Sequence, residues 1–191
     1  IYFDQNCKYN LPIRRVLEKI IIKYEGDTKC ADFENFMVYA KRFFFSNGIH
    51  HHYGEDKFIP SCSRAYFKML MAKTGQEGKC AELLPVIYDP AIMPMRRTND
   101  TNNDMVVNSA VNFYDGNITQ NEVNKFYAAQ ETPGEKEPIS YGLNTKIVKE
   151  NGKLVEKPWK IGGIYSKSIS KIVDNLEKAK EFAETPNQKK T

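Results

Sequence analysis

The chain has little of what most catalytic chemistry needs. It holds three histidines, one tryptophan and four cysteines in 191 residues. The cysteines (Cys7, Cys30, Cys62 and Cys80) form no C-x-x-C pair, which argues against a zinc ribbon. A chain this long does not need disulfides to hold a core, so free and mostly buried thiols are expected. The G-x-S-x-G elbow, the H-E-x-x-H helix and the glycine-rich phosphate loops are all missing. There is likewise no clustered Glu-rich box of the kind that holds magnesium for pyrophosphate hydrolysis. No apolar run approaches membrane-spanning length, so no membrane span is expected. The net charge is only +4, with basic and acidic residues interspersed, so no basic stripe marks a nucleic-acid surface. Lys189-Lys190 reads as a solvated tail. The chain opens at Ile1 without Met, a basic n-region or an apolar h-region, which gives the expectation of a cut point in a longer polypeptide. The compartment expected is cytoplasmic, with periplasmic as the alternative.

What is present is ordinary for a globular domain. Hydrophobic residues make up 41% and charged residues 27%, enough of each for one core with a solvated surface. A helix is expected from Asn10 as cap and Pro12 in the first turn, with Ile13, Val16, Leu17, Ile20, Ile21 and Tyr24 on its inner face and Gly26 as its stop. A second starts at Asp32, places Phe33, Phe36, Met37, Ala40 and Phe44 on one face, and stops at Gly48. A third begins near Ser63 and buries Tyr66, Phe67, Leu70 and Met71. A fourth covers Ala81 to Ile87. Met93 to Asn103 reads as a loop, and Met105 to Tyr114 is ambiguous between strand and helix.

Thr119-Gln120-Asn121-Glu122 fits a capping box for a short helix carrying Val123, Phe126 and Tyr127. Residues 132–138 are a charged Pro/Gly linker and a candidate sub-boundary within one domain or fragment. Asn151-Gly152 joins Ile139–Glu150 to Lys153–Trp159 as a hairpin. Gly162-Gly163 breaks the chain. Ser166 then caps a long last helix with Ile169, Ile172, Val173, Leu176, Ala179 and Ala183 toward the core, ended by Pro186. The fold class expected is mainly α with a small β-hairpin (α+β). There is no internal repeat.

All three histidines fall in Ser46–Pro60, SNGIHHHYGEDKFIP. Zinc favours imidazole, but side chains of an extended segment alternate faces, so His50 and His52 would share a side and His51 would point away. Two readings stand side by side. In one, His50, His52 and an acid such as Asp56 form a small metallohydrolase site. In the other, the imidazoles bond backbone or pack on aromatics such as Tyr53 and Phe58. Cys62 with a nearby histidine is a further candidate for thiol chemistry, but nothing in the spacing supplies a third member. Tyrosine and phenylalanine number eleven each, and at helical spacing they belong to a core. Tyr53, Tyr114 and Tyr141 fall in expected loops, where they would line a peptide groove.

Several separated segments carry a resemblance. They are Phe3–Asn10, Ser46–Gly54, Asp56–Pro60, Pro85–Pro90, Asn112–Gly116, Ile139–Asn144 and Trp159–Tyr165. Together and in this order they resemble the bacterial, Bacteroides-like branch of the dipeptidyl peptidase III family of zinc metallopeptidases. The resemblance runs nearly end to end. It implies a much longer parent enzyme with two lobes and a wide cleft, which removes dipeptides from peptide N-termini. There zinc polarises the scissile carbonyl and activates water, with a Glu as base. The family's zinc is held by an H-E-x-x-G-H type helix and a downstream acidic segment, and neither motif occurs in this chain.

The resemblance therefore implies a segment of the lobe opposite the zinc, with no catalytic or metal residue and no cofactor of its own. Its partners would be the remaining lobe of the same polypeptide and, in the parent, a peptide substrate. His50, His51, His52, Tyr53, Tyr141 and Asn144 are candidate cleft-lining residues. An independent peptide-binding or scaffold module is the alternative. Some relatives carry a fused Nudix domain, but this chain has no Nudix box, so that activity is not expected of it.

Overall fold

In the computed structural model the described residues are 7–131, 134 and 140–190. The segment Phe3–Asn10 therefore lies partly outside them, as does the linker expected at 132–138 apart from Gly134. The protein is mainly helical with a two-stranded antiparallel hairpin, as the sequence pattern requires. The chain divides into two compact units, 1–124 and 125–191.

The first unit is built on four helices: α1 (Asn10–Lys23), α2 (Ala31–Ser46), α3 (Arg64–Lys73) and α4 (Cys80–Tyr88). A short 3-10 turn, Glu77–Lys79, leads into α4. In α1 the residues Ile13, Val16, Leu17 and Ile20 are fully buried at helical spacing. Ile21, expected beside them, is 39% exposed. The α2 helix buries Phe36, Tyr39, Ala40 and Phe43, while Phe33, Met37 and Phe44 sit at the margin of the core. Aromatic rings link the helices: Tyr24 stacks on Phe33 at 5.5 Å, and Phe67 of α3 meets Phe36 edge-on at 5.4 Å and Tyr88 at 6.1 Å. Such pairs contribute beyond their buried area.

Several helix ends differ from the sequence expectation. Asn10 does not cap α1. It lies inside the first turn, buried, and its Oδ1 accepts the Ile49 N–H at 3.2 Å. A polar side chain that solves a distant backbone need is unavailable as a cap. The helix also ends at Lys23, ahead of Gly26. In α2 the stop is Asn47, in the left-handed region at φ 58°, and the Gly48 N–H returns to the Phe43 carbonyl at 3.0 Å. Gly48 is needed for a different reason: a Cβ there would collide with the Asn10 carboxamide. Ser63 caps α3 as expected, accepting the Tyr66 N–H at 3.1 Å.

Residues 105–114 are built of turns rather than a helix or a ladder. Asp104 organises them, its carboxylate accepting the Val106, Val107 and Gln120 N–H groups. The capping box is present: Thr119 Oγ1 accepts the Glu122 N–H and Glu122 accepts the Thr119 N–H. It starts α5 (Gln120–Ala128), which crosses from the first unit into the second.

In the second unit, β1 (Thr145–Glu150) pairs with β2 (Lys153–Pro158), with Glu150 opposite Lys153. Asn151 and Gly152 both take positive φ, the geometry of a two-residue hairpin turn. The α6 helix (Ser166–Ala179) is followed by a 3-10 turn, Lys180–Phe182, and by α7 (Pro186–Lys190). Pro186 thus opens a helix rather than ending one, as its fixed φ and missing N–H allow. Ser166 is not a cap either; its Oγ accepts the Gly162 N–H at 2.9 Å. The stripe expected to face a core does not do so. No residue of α6 is buried, and Ile172, Val173 and Leu176 are 50%, 37% and 61% exposed. Periodicity names a helix's apolar face but not what covers it.

The Asn10–Ile49 bond ties α1 to the segment after α2. Asn10→Ala leaves a buried N–H without a partner and should lower stability by about 1–3 kcal/mol. Urea unfolding followed by circular dichroism checks this, and an unchanged midpoint would contradict it.

Candidate functional site

The histidine run lies in a tight turn between α2 and α3, held by single backbone bridges. His50 pairs with Lys57, and Asp56 with Met95. The His51 N–H donates to the Asp56 carbonyl at 2.7 Å, and the Phe58 N–H to the Ile49 carbonyl at 2.8 Å. Glu55, at φ 67°, closes the turn. Its carboxylate takes Arg96 Nε at 2.6 Å and Nη2 at 2.8 Å, a bidentate pair, while the same Nη2 reaches the His52 carbonyl at 3.2 Å. The guanidinium holds the Glu55 carboxyl below its usual range.

Lys57 secures the other side. Its ammonium donates to the carbonyls of Val86, at 3.0 Å, Ile92, at 2.6 Å, and Asp89. Burial draws its pKa down. No local pattern announced either arrangement, because Glu55 and Arg96 are 41 residues apart.

Each imidazole has its own task. His50 is 2% exposed, and its Nε2 lies 2.9 Å from the Met93 carbonyl. A carbonyl only accepts, so Nε2 carries the proton and Nδ1 holds the lone pair. That Nδ1 is buried and has no hydrogen-bond partner among the described residues. Burial, with Lys57 and Arg96 close by, holds the pKa down at about 4. His51 Nδ1 accepts the N–H groups of Tyr53, at 3.2 Å, and Gly54, at 2.8 Å, so its lone pair is also spent on the turn. His52 Nδ1 meets Ser46 Oγ at 3.2 Å.

The alternation expected of an extended segment is broken by this turn. His51 and His52 stack, with ring centroids 4.9 Å apart and planes at 22°. His50 instead points to Met93. These donors do not fit a zinc site. The His51 lone pair is spent on two backbone N–H groups, that of His50 is buried, and no group of three His, Cys, Asp or Glu side chains able to hold a metal occurs among the described residues.

What the turn does expose is an aromatic surface. Phe45 is 76% and Tyr53 84% exposed, with His52 between them at 4.9 Å and 4.2 Å. Exposed rings in contact mark a binding surface more often than isolated ones do. Tyr141 and Asn144 belong to the second unit. Tyr141 donates its hydroxyl to the Gln130 carbonyl at 2.7 Å, and the Asn144 carbonyl accepts the Trp159 N–H at 2.7 Å where β1 begins.

The four cysteines are free, and Cys7, Cys62 and Cys80 are buried. Burial pushes the Cys62 thiol up, against the pull of the Tyr88 hydroxyl, the opposite of what a thiolate nucleophile needs.

A scan against protein-family models finds no match, and a search of curated proteins finds none. No helix among the described residues is long and apolar enough to cross a membrane.

His50 makes stability depend on pH. The unfolded ring takes its proton near pH 6.5 and the folded ring near about 4. As pH falls, the unfolded state is protonated first, so the contribution is complete above 6.5 and is lost through that window. The loss should reach about 3 kcal/mol. His50→Leu should be weaker at neutral pH yet flatter between pH 7 and about 4. Parallel slopes for the two proteins would sink the assignment.

Proposed function

We propose that the chain is a non-catalytic segment of a zinc-dependent dipeptidyl peptidase, which releases dipeptides from peptide N-termini. The ordered set of matching segments carries this reading. The histidine turn supports it: the imidazoles that would tempt a metal assignment are committed to Met93, to the turn backbone and to Ser46. The exposed apolar stripe of α6 favours a chain that packs against further protein, and the remaining lobe of the same polypeptide is the partner this reading names. In the parent, the segment would form cleft wall while the other lobe holds the zinc and performs the chemistry. The compartment that goes with this reading is cytoplasmic, with periplasmic as the alternative.

A second reading is favoured by one observation. The exposed rings of Phe45 and Tyr53 would suit an independent peptide-binding module. Micromolar peptide binding by the isolated chain in calorimetry would support it, and flat titrations would remove it.

Elemental analysis separates the peptidase reading from a metallohydrolase built on His50, His52 and Asp56. The 191-residue chain should carry no stoichiometric zinc and release no dipeptides. The full-length parent should hold about one zinc per chain and be active. Zinc bound to this chain and lost in His52→Ala would overturn the assignment.

A further inference from the structure

The outer side of α2 continues the aromatic surface of the histidine turn. Helical residues three, four or seven positions apart share one side, so Val38, Lys41, Arg42 and Phe45 form a single stripe. All four are exposed. The stripe meets His52, whose ring centre is 4.9 Å from that of Phe45, and runs on to Tyr53, 4.2 Å further. Neither Lys41 nor Arg42 forms an ion pair or a side-chain hydrogen bond with a described residue.

The carboxylates of this region do not cancel the two cations. Glu34, on the same side of α2, stands two helical turns before Lys41. Glu55 is already met by Arg96, at 2.6 Å, and by Arg97, at 3.3 Å. Asp56 Oδ1 lies against Gly54, where it would collide with a Cβ. The stripe therefore sets two uncommitted cations one helical turn from exposed rings. In a small interface aromatic contacts supply most of the affinity, and charges select the partner. A basic partner would be repelled by Lys41 and Arg42, and an uncharged one would leave them without a counter-charge. The complement is a chain that carries carboxylates beside a ring. One helical turn separates neighbours by about 5–6 Å, and residues two apart in an extended peptide share a side at about 6.6–6.8 Å.

We propose that this stripe binds an acidic peptide in which Glu or Asp stands two residues from an aromatic residue. The peptide ring packs on Phe45 and Tyr53, and the carboxylates meet Lys41 and Arg42. This inference rests on the second reading above, the independent peptide-binding module, and names its ligand.

Amide NMR titration of the 191-residue chain tests it with three short peptides. The first carries glutamates two residues either side of a phenylalanine, the second has lysines for the glutamates, and the third has serine for the phenylalanine. The first should shift amides of residues 38–54 in the micromolar range, and the other two should bind at least about tenfold more weakly. Added salt should weaken the first peptide, because the charges it pairs are exposed. Lys41→Glu combined with Arg42→Glu should reverse the order of the first two peptides, and Phe45→Ser should weaken both. These side chains are exposed, so the variants should keep the helical circular dichroism of the unaltered chain. Equal affinity for the glutamate and lysine peptides would overturn the inference and leave the peptide-binding reading standing. Flat titrations with all three would remove both. Shifts confined to other parts of the chain, or shifts of the same amides on concentrating the chain without peptide, would also overturn it, the latter by making a second copy the occupant.

Discussion

Lys57 ties the histidine turn to the end of α4 and the loop that follows it. Its ammonium gathers the carbonyls of Val86, Asp89 and Ile92, where α4 ends and the chain turns away. The last carbonyls of a helix have no partner within it, and they form the negative end of its dipole. A cation there answers both needs. The same residue pairs through its backbone with His50 and donates its N–H to the Pro94 carbonyl. One side chain therefore fixes the end of a helix, the loop after it and the ladder that carries the histidines. The Glu55–Arg96 pair holds the far side of that turn, and with both in place the imidazoles have little freedom.

Much of the first unit was legible because burial repeats at helical spacing. Ile13, Val16, Leu17 and Ile20 identify α1 without any knowledge of its neighbours, and Phe67, Leu70 and Met71 do the same for α3. The hairpin was legible because Asn151-Gly152 tolerates the positive φ that the turn demands. Helix ends were harder. Asn10 has the right chemistry for a cap, but the Ile49 amide claims it. Asn47 took the left-handed position one residue before the glycine that seemed made for it. In both places a tertiary contact decided between residues that are locally equivalent.

The histidine turn shows why residue type alone says little about a site. Three consecutive imidazoles look like a ligand set until each lone pair is followed to its partner. His51 spends its own on two backbone amides, and His50 keeps its own buried behind the Met93 bond. The partners lie on other segments, so spacing within the run holds no trace of them.

The hairpin and α6 invite a dynamic consequence. Among the described residues beyond 124, Ile147 alone is a buried hydrophobic residue. Amide protons of β1, β2 and α6 are bonded, yet little apolar burial opposes the opening of those bonds. Their exchange with deuterium should then proceed through small local fluctuations, while amides of α1 to α4 wait for global unfolding. The two halves of one polypeptide would report different clocks, minutes apart or more, although both are regular secondary structure.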